Sequence, residues 1–81
     1  MNEKTTAKHI KALQKLFPDA FISSTKEWNG REGGLWTGFG AHSEICDYWS
    51  SYVNPKLQAY LDKNDLFIEP NDPETYMIWA G

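Results

Sequence analysis

Between Thr5 and Phe17 the apolar positions Ile10, Leu13, Leu16 and Phe17 recur at i, i+3, i+6 and i+7, while Lys8, Lys11 and Lys15 fall on other faces. That spacing predicts an amphipathic helix with one apolar stripe. Thr5 or Thr6 is placed to cap its start, and Phe17-Pro18 marks its end, because a residue before proline is pushed away from helical angles. From Ala20 to Trp28 β-branched and aromatic residues accumulate. The turn-forming run 29–34 follows, and then Leu35, Thr37 and Phe39 alternate with Trp36 and Gly38. This pattern predicts a β-hairpin. Gly38 and Gly40 leave the Trp36 face without side chains, which admits either a packed ring or the close approach of a partner's backbone.

In the stretch from His42 to Val53, residues Ile45, Trp49, Tyr52 and Val53 have helical spacing, although Tyr48 and Trp49 also suit a strand. It reads as a short helix capped by Ser43. Asn54-Pro55 opens a further helix, an N-cap residue followed by proline at the first helical position, with Leu57, Tyr60 and Leu61 as its apolar face and Asn64 as its left-handed terminator. Leu66–Glu69 and Thr75–Trp79 then flank the proline-bearing cluster 70–74, a second hairpin. The fold expected is α+β, in the order α-β-β-α-α-β-β, with two or three helices packed on an antiparallel sheet of two hairpins.

At 81 residues the chain is expected to form a single domain over 1–81. Cys46 is the only cysteine, so no intramolecular disulfide forms and a cytoplasmic setting is expected. No window approaches the ~18 apolar residues of a membrane span, and the first residues lack the apolar core of a secretion signal. The four tryptophans are more than a chain this size needs. About two or three are expected in the core and the rest at a surface, with Trp28, Trp36 and Trp49 the candidate aromatic anchors.

The formal charge is −3, unevenly spread. Residues 1–41 carry six bases against four acids, whereas residues 42–81 carry seven acids (Glu44, Asp47, Asp62, Asp65, Glu69, Asp72 and Glu74) against Lys56 and Lys63. Direct nucleic-acid binding would fall to Lys4, Lys8, Lys11 and Lys15, and a pI near 5.2 argues against it. The seven carboxylates point the other way, to a basic groove in which another protein holds DNA or RNA. Such mimicry requires them to converge in space.

Candidate chemistry is thin. His42 and Cys46, four apart, would share a helix face as an imidazole-activated thiol, but a lone cysteine beside Ile45 and Trp49 is more often a small buried hydrophobe. His9, His42 and Cys46 do not form a paired ligand motif, and Asp62, Asp65 and Glu69 lack the order of a calcium loop. No catalytic residue, metal or cofactor is assigned, and the chain is read as a non-enzyme.

The leading helix ending in Leu16-Phe17-Pro18, the glycine-rich hairpin, and the closing run from Tyr60-Leu61 through Phe67-Ile68-Glu69, Asn71-Asp72-Pro73 and Thr75-Tyr76-Met77-Ile78-Trp79 resemble small proteins encoded by phages and mobile elements, the anti-CRISPR proteins among them. The resemblance implies a stoichiometric inhibitor that binds a CRISPR effector subunit or another nucleic-acid-binding complex in the bacterial cytoplasm. It carries over no catalytic residue. A regulatory or assembly module that docks or weakly dimerises through exposed aromatics is the alternative expectation.

Overall fold

The computed structural model describes residues 1–30 and 33–80, apart from the side chains of residues 28 and 29. Helix α1 runs Glu3–Leu16 and ends at Phe17, as the proline predicts. Its cap is Asn2, whose side chain accepts from Thr5 N at 2.8 Å, so neither Thr5 nor Thr6 starts the helix. Asn is at least as strong an N-cap as Thr, and starting earlier also brings Glu3 into the positive end of the helix dipole. The buried stripe is Thr6, His9, Leu13 and Phe17, rotated from the expected one so that Leu16 is exposed and Ile10 partly buried.

Strand β1 spans only Ile22–Ser24, and the chain then forms helix α2, Thr25–Asn29, where the hydrophobic pattern had predicted strand to Trp28. The cause is local. Ser24 accepts from Lys26 N at 3.0 Å as the N-cap, and Gly30 closes the helix in the left-handed conformation at φ 78°. Strand β2, Gly34–Thr37, still pairs antiparallel with β1, so the expected hairpin exists with α2 inside its connection. Arg31 and Glu32, in the expected loop, lie outside the described residues.

A 3-10 turn follows at Phe39–Ala41, and the helix expected over 42–53 is replaced by a small hairpin of β3, Cys46–Asp47, and β4, Tyr52–Val53. Asp47 explains the difference, because its carboxylate accepts from Trp49 N at 3.2 Å and from Ser50 Oγ at 2.9 Å and so builds a turn. Flanking tyrosines and valine favour strand over helix as well. Helix α3, Pro55–Lys63, has the predicted Asn54 cap and buries Leu57 and Leu61. Its terminator is displaced: Asn64 has φ −104°, and Asp65 at φ 58° takes the left-handed position. Asn64 instead donates from Nδ2 to Tyr60 O at 2.9 Å, which satisfies the last turn and delays the reversal by one residue.

Strands β5, Leu66–Pro70, and β6, Tyr76–Ala80, form the second hairpin. The four-stranded antiparallel sheet has the order β1-β2-β6-β5. One face meets α1 and α3 through a shared core of Leu13, Phe17, Leu35, Phe39, Leu57, Leu61 and Ile78. Each such side chain contributes roughly 1.5–3 kcal/mol on burial. None of the described residues lies in a helix long and apolar enough to cross a membrane.

Gly40 ties the middle of the chain to the last hairpin, since its N–H donates to Glu74 O at 3.0 Å. The backbone that comes close at Gly40 is therefore the protein's own, where the sequence pattern suggested a packed ring or a partner's backbone. A Cβ at position 40 would lie 2.0 Å from Pro73 O and 2.9 Å from Glu74 Cα, whereas one at Gly38 would meet Phe21 Cβ at an ordinary 3.5 Å. Gly40→Ala is expected to lower the urea midpoint by the equivalent of about 2–3 kcal/mol with an unchanged slope. Gly38→Ala, measured alongside, should unfold close to wild type.

Candidate functional site

Strand register decides which side chains the helices cover. Leu35, Ile78 and Ile68 are cross-strand neighbours on the helix side, as are Thr37, Tyr76 and Pro70. The alternate positions Ser23, Trp36, Met77 and Glu69 therefore share the opposite face with Gly34, Trp79 and Phe67. Gly34 is required there, because a Cβ on it would sit 2.5 Å from Cε3 and Cζ3 of Trp79. On the other side of β6 the same indole donates from Nε1 to Glu69 Oε1 at 2.8 Å. Trp79 thus lies across β6, from β2 to β5. Met77 is buried on this face, while Phe67 keeps 47% of its surface exposed, and Phe21 keeps 56% although its ring packs 4.9 Å from Trp36.

The β3–β4 hairpin adds a second aromatic group. Trp49, at its tip, is 82% exposed, and its ring stands edge-on to Tyr48 at 5.1 Å. Together with Tyr52, Ile68, Pro70 and Tyr76 these rings line a cleft of about 470 Å³. Strand β5 therefore has the cleft on its helix side and Phe67, Glu69 and Trp79 on its other side. Of the expected anchors, Trp49 is exposed and Trp36 half-buried, and the side chain of Trp28 lies outside the described residues. None of Trp36, Trp49 and Trp79 is buried in the core, contrary to expectation. Phenylalanines and Tyr76 fill it instead, since a thin two-layer core accepts their smaller rings whole.

The seven carboxylates are distributed about β5 rather than gathered at one point. Asp62 and Asp65 precede its Leu66 end, and Asp72 and Glu74 follow its Pro70 end, about 14 Å along a strand of this length. Glu69 lies between them on the open face. Glu44 and Asp47 belong with the Pro70 end: Glu44 O accepts from the Asn54 side chain at the start of α3, and Asp47 is close enough to Tyr76 to help burial raise its hydroxyl. Several have local duties as well. Asp72 accepts from Glu74 N and Thr75 N at 2.9 and 2.8 Å, and those backbone bonds hold its carboxyl below the ordinary value. Asp62 accepts from Gln58 at 2.9 Å.

Cys46 is fully buried in the core and pairs with Val53, and burial pushes its thiol up to about 12. The helix face that would bring it to His42 is absent, and His42 Nδ1 lies 3.6 Å from Glu44 Oε1 instead. Among the described residues no three of His, Cys, Asp and Glu are grouped to hold a metal. A pair that residue spacing does not disclose is His9 with Tyr60, joined by a hydrogen bond between Nδ1 and the hydroxyl across the α1–α3 contact. Burial, then the charges of Lys8 and the N-terminus, lower the His9 pKa from 6.5.

The sign of that shift makes a prediction. The folded protein favours neutral His9, and the unfolded chain takes up a proton near the ordinary value of about 6.5. The stabilisation is complete above that value and is lost as pH falls below it, because the unfolded state then binds the extra proton. Urea midpoints should therefore drop between about pH 7.5 and 5.5, and the drop should be shallower in His9→Gln. In comparisons with protein-family models, curated proteins and solved structures, nothing matched the chain.

Proposed function

We propose that this chain is a small non-enzymatic binding protein that acts by occupying the surface of a partner protein, with the aromatic residues around β5 and the β3–β4 hairpin as its contact patch. The observation that carries this reading is Trp49, 82% exposed at a hairpin tip beside an open cleft. Trp and Tyr dominate binding hot spots because they bury a large, rigid area while losing few rotamers. Tyr48, Tyr52 and Phe67, each at least 40% exposed, extend the patch. The core gains little from these rings.

A second reading is favoured by the acidic end of the molecule, where Glu44, Asp47, Asp72 and Glu74 flank the Pro70 end of β5. Here the chain is a phage-type inhibitor that lays these carboxylates, with Asp62, Asp65 and Glu69, on the nucleic-acid-handling surface of a bacterial defence complex. A CRISPR effector subunit in the host cytoplasm is the example its anti-CRISPR resemblance suggests. Charge would then set the association rate and its salt dependence.

Affinity capture from lysates of candidate bacterial hosts separates the two. A protein retained by the wild type and lost with Trp49→Ala, but kept by Phe21→Ala, supports the aromatic patch. Measured with that protein purified, Trp49→Ala should weaken binding by about 30-fold or more, with thermal unfolding unchanged. Equal binding by Trp49→Ala overturns it. Loss of binding with Glu44→Gln/Asp47→Asn/Asp72→Asn/Glu74→Gln, with strong dependence on salt, supports the inhibitor.

A further inference from the structure

We infer that the free edge of β5 is a docking site for an extended basic segment of a partner protein, which adds to the sheet as a fifth strand. The inference rests on the protein-binding function proposed above and specifies how the partner is held.

Three contacts fix which way the backbone of β5 points. Asn71 N donates to Thr75 O at 2.8 Å, so these two residues face each other across the hairpin. Tyr76 O accepts from Thr37 Oγ1 at 3.1 Å, toward β2, and both the N–H and C=O of Gly34 are bonded by Thr25 Oγ1 at 3.2 Å, away from β6. Alternation along antiparallel strands then turns Phe67 and Glu69 toward β6. Leu66, Ile68 and Pro70 turn outward, and among the described residues no backbone bond from outside the sheet reaches them. Proline falls where its missing N–H breaks no ladder bond. The edge offers the N–H of Leu66 and Ile68 and three carbonyls.

An edge alone would be ordinary, but both of its flanks are built to receive side chains. A strand laid along β5 sends alternate residues to opposite faces. One set enters the cleft between Ile68 and the rings of Tyr48, Trp49 and Tyr52. The other set lies over Phe67 and against Glu69. The Glu69 carboxylate is held in place by the Trp79 indole through one oxygen, and its other oxygen has no hydrogen-bond partner among the described residues. An arginine there can bond that oxygen and stack on the exposed Phe67 ring. Charge selects the partner further: residues 64–80 hold Asp65, Glu69, Asp72 and Glu74 and no lysine or arginine. Backbone pairing supplies affinity and the two flanks supply selection, as in other strand-addition complexes.

The test uses the full chain and an eight-residue peptide of alternating Arg and Val, with controls carrying Glu for Arg or Pro for alternate Val. Amide exchange and titration are followed by NMR. The Arg–Val peptide should bind at least about tenfold more tightly than either control, and should slow exchange at Leu66 and Ile68 by at least about tenfold, with Phe67 and Glu69 already protected. Glu69→Gln, which keeps the acceptor for Trp79, should weaken that binding at least about fivefold with unfolding unchanged. Equal binding of the acidic peptide, or binding without protection at Leu66 and Ile68, overturns the inference. So does protection of these amides in concentrated protein alone, which would assign the edge to a second copy. If these arms fail while Trp49-dependent capture persists, strand addition falls and the aromatic patch stands; loss of the Trp49 dependence removes the patch itself.

Discussion

Both long helices pack on the same face of the sheet, and every other arrangement in the molecule answers to that. Helices α1 and α3 meet over Leu35 and Ile78, leaving the opposite face to be closed by its own side chains. Trp79 supplies most of the closure. Its indole spans from a strand that lacks a Cβ at Gly34 to a carboxylate on the next, and Met77 is covered beside it. An indole laid flat in this way covers apolar backbone while its N–H finds a partner.

The buried core and the exposed rings consequently occupy different parts of the chain. Leu13, Leu57, Leu61 and Ile78 are fully buried and carry the core. The rings of Trp49 and Phe67, by contrast, can be removed at little expected cost to packing, which is the condition for a surface free to adapt to a partner. Cys46 and His9, the groups chemistry would look to first, are spent on the interior: one behaves as a small apolar filler, and the other is a neutral partner of Tyr60. Among the acidic groups, Asp47 and Asp72 build turns through their carboxylates, while Glu69 holds the Trp79 indole through one oxygen.

Where a single local rule dominated, the elements were legible in the sequence. Pro18 ended α1, Asn54-Pro55 opened α3, and the cluster 70–74 separated two strands that do pair. Legibility failed where two rules competed. At Ser24 a capping side chain outweighed a β-branched run, and at Asp47 an acceptor of two local bonds outweighed helical spacing. The proposed contact patch was partly visible, since Trp49 stood out by type. Phe67 and Trp79 did not, because their exposure depends on which face of the sheet the helices leave open. That choice is made by register between strands up to 45 positions apart, such as Gly34 with Trp79, and no local window contains it.

The position of β6 also governs when the fold can come into being. It lies between β2 and β5, and it follows both in the chain. Until residues 76–80 are in place, β1 and β2 form only a two-stranded ribbon beside α1 and α2, and β5 has no strand neighbour. The four-stranded sheet is therefore complete only once the last of its strands joins the other three. Loss of that one strand would divide the sheet rather than shorten it.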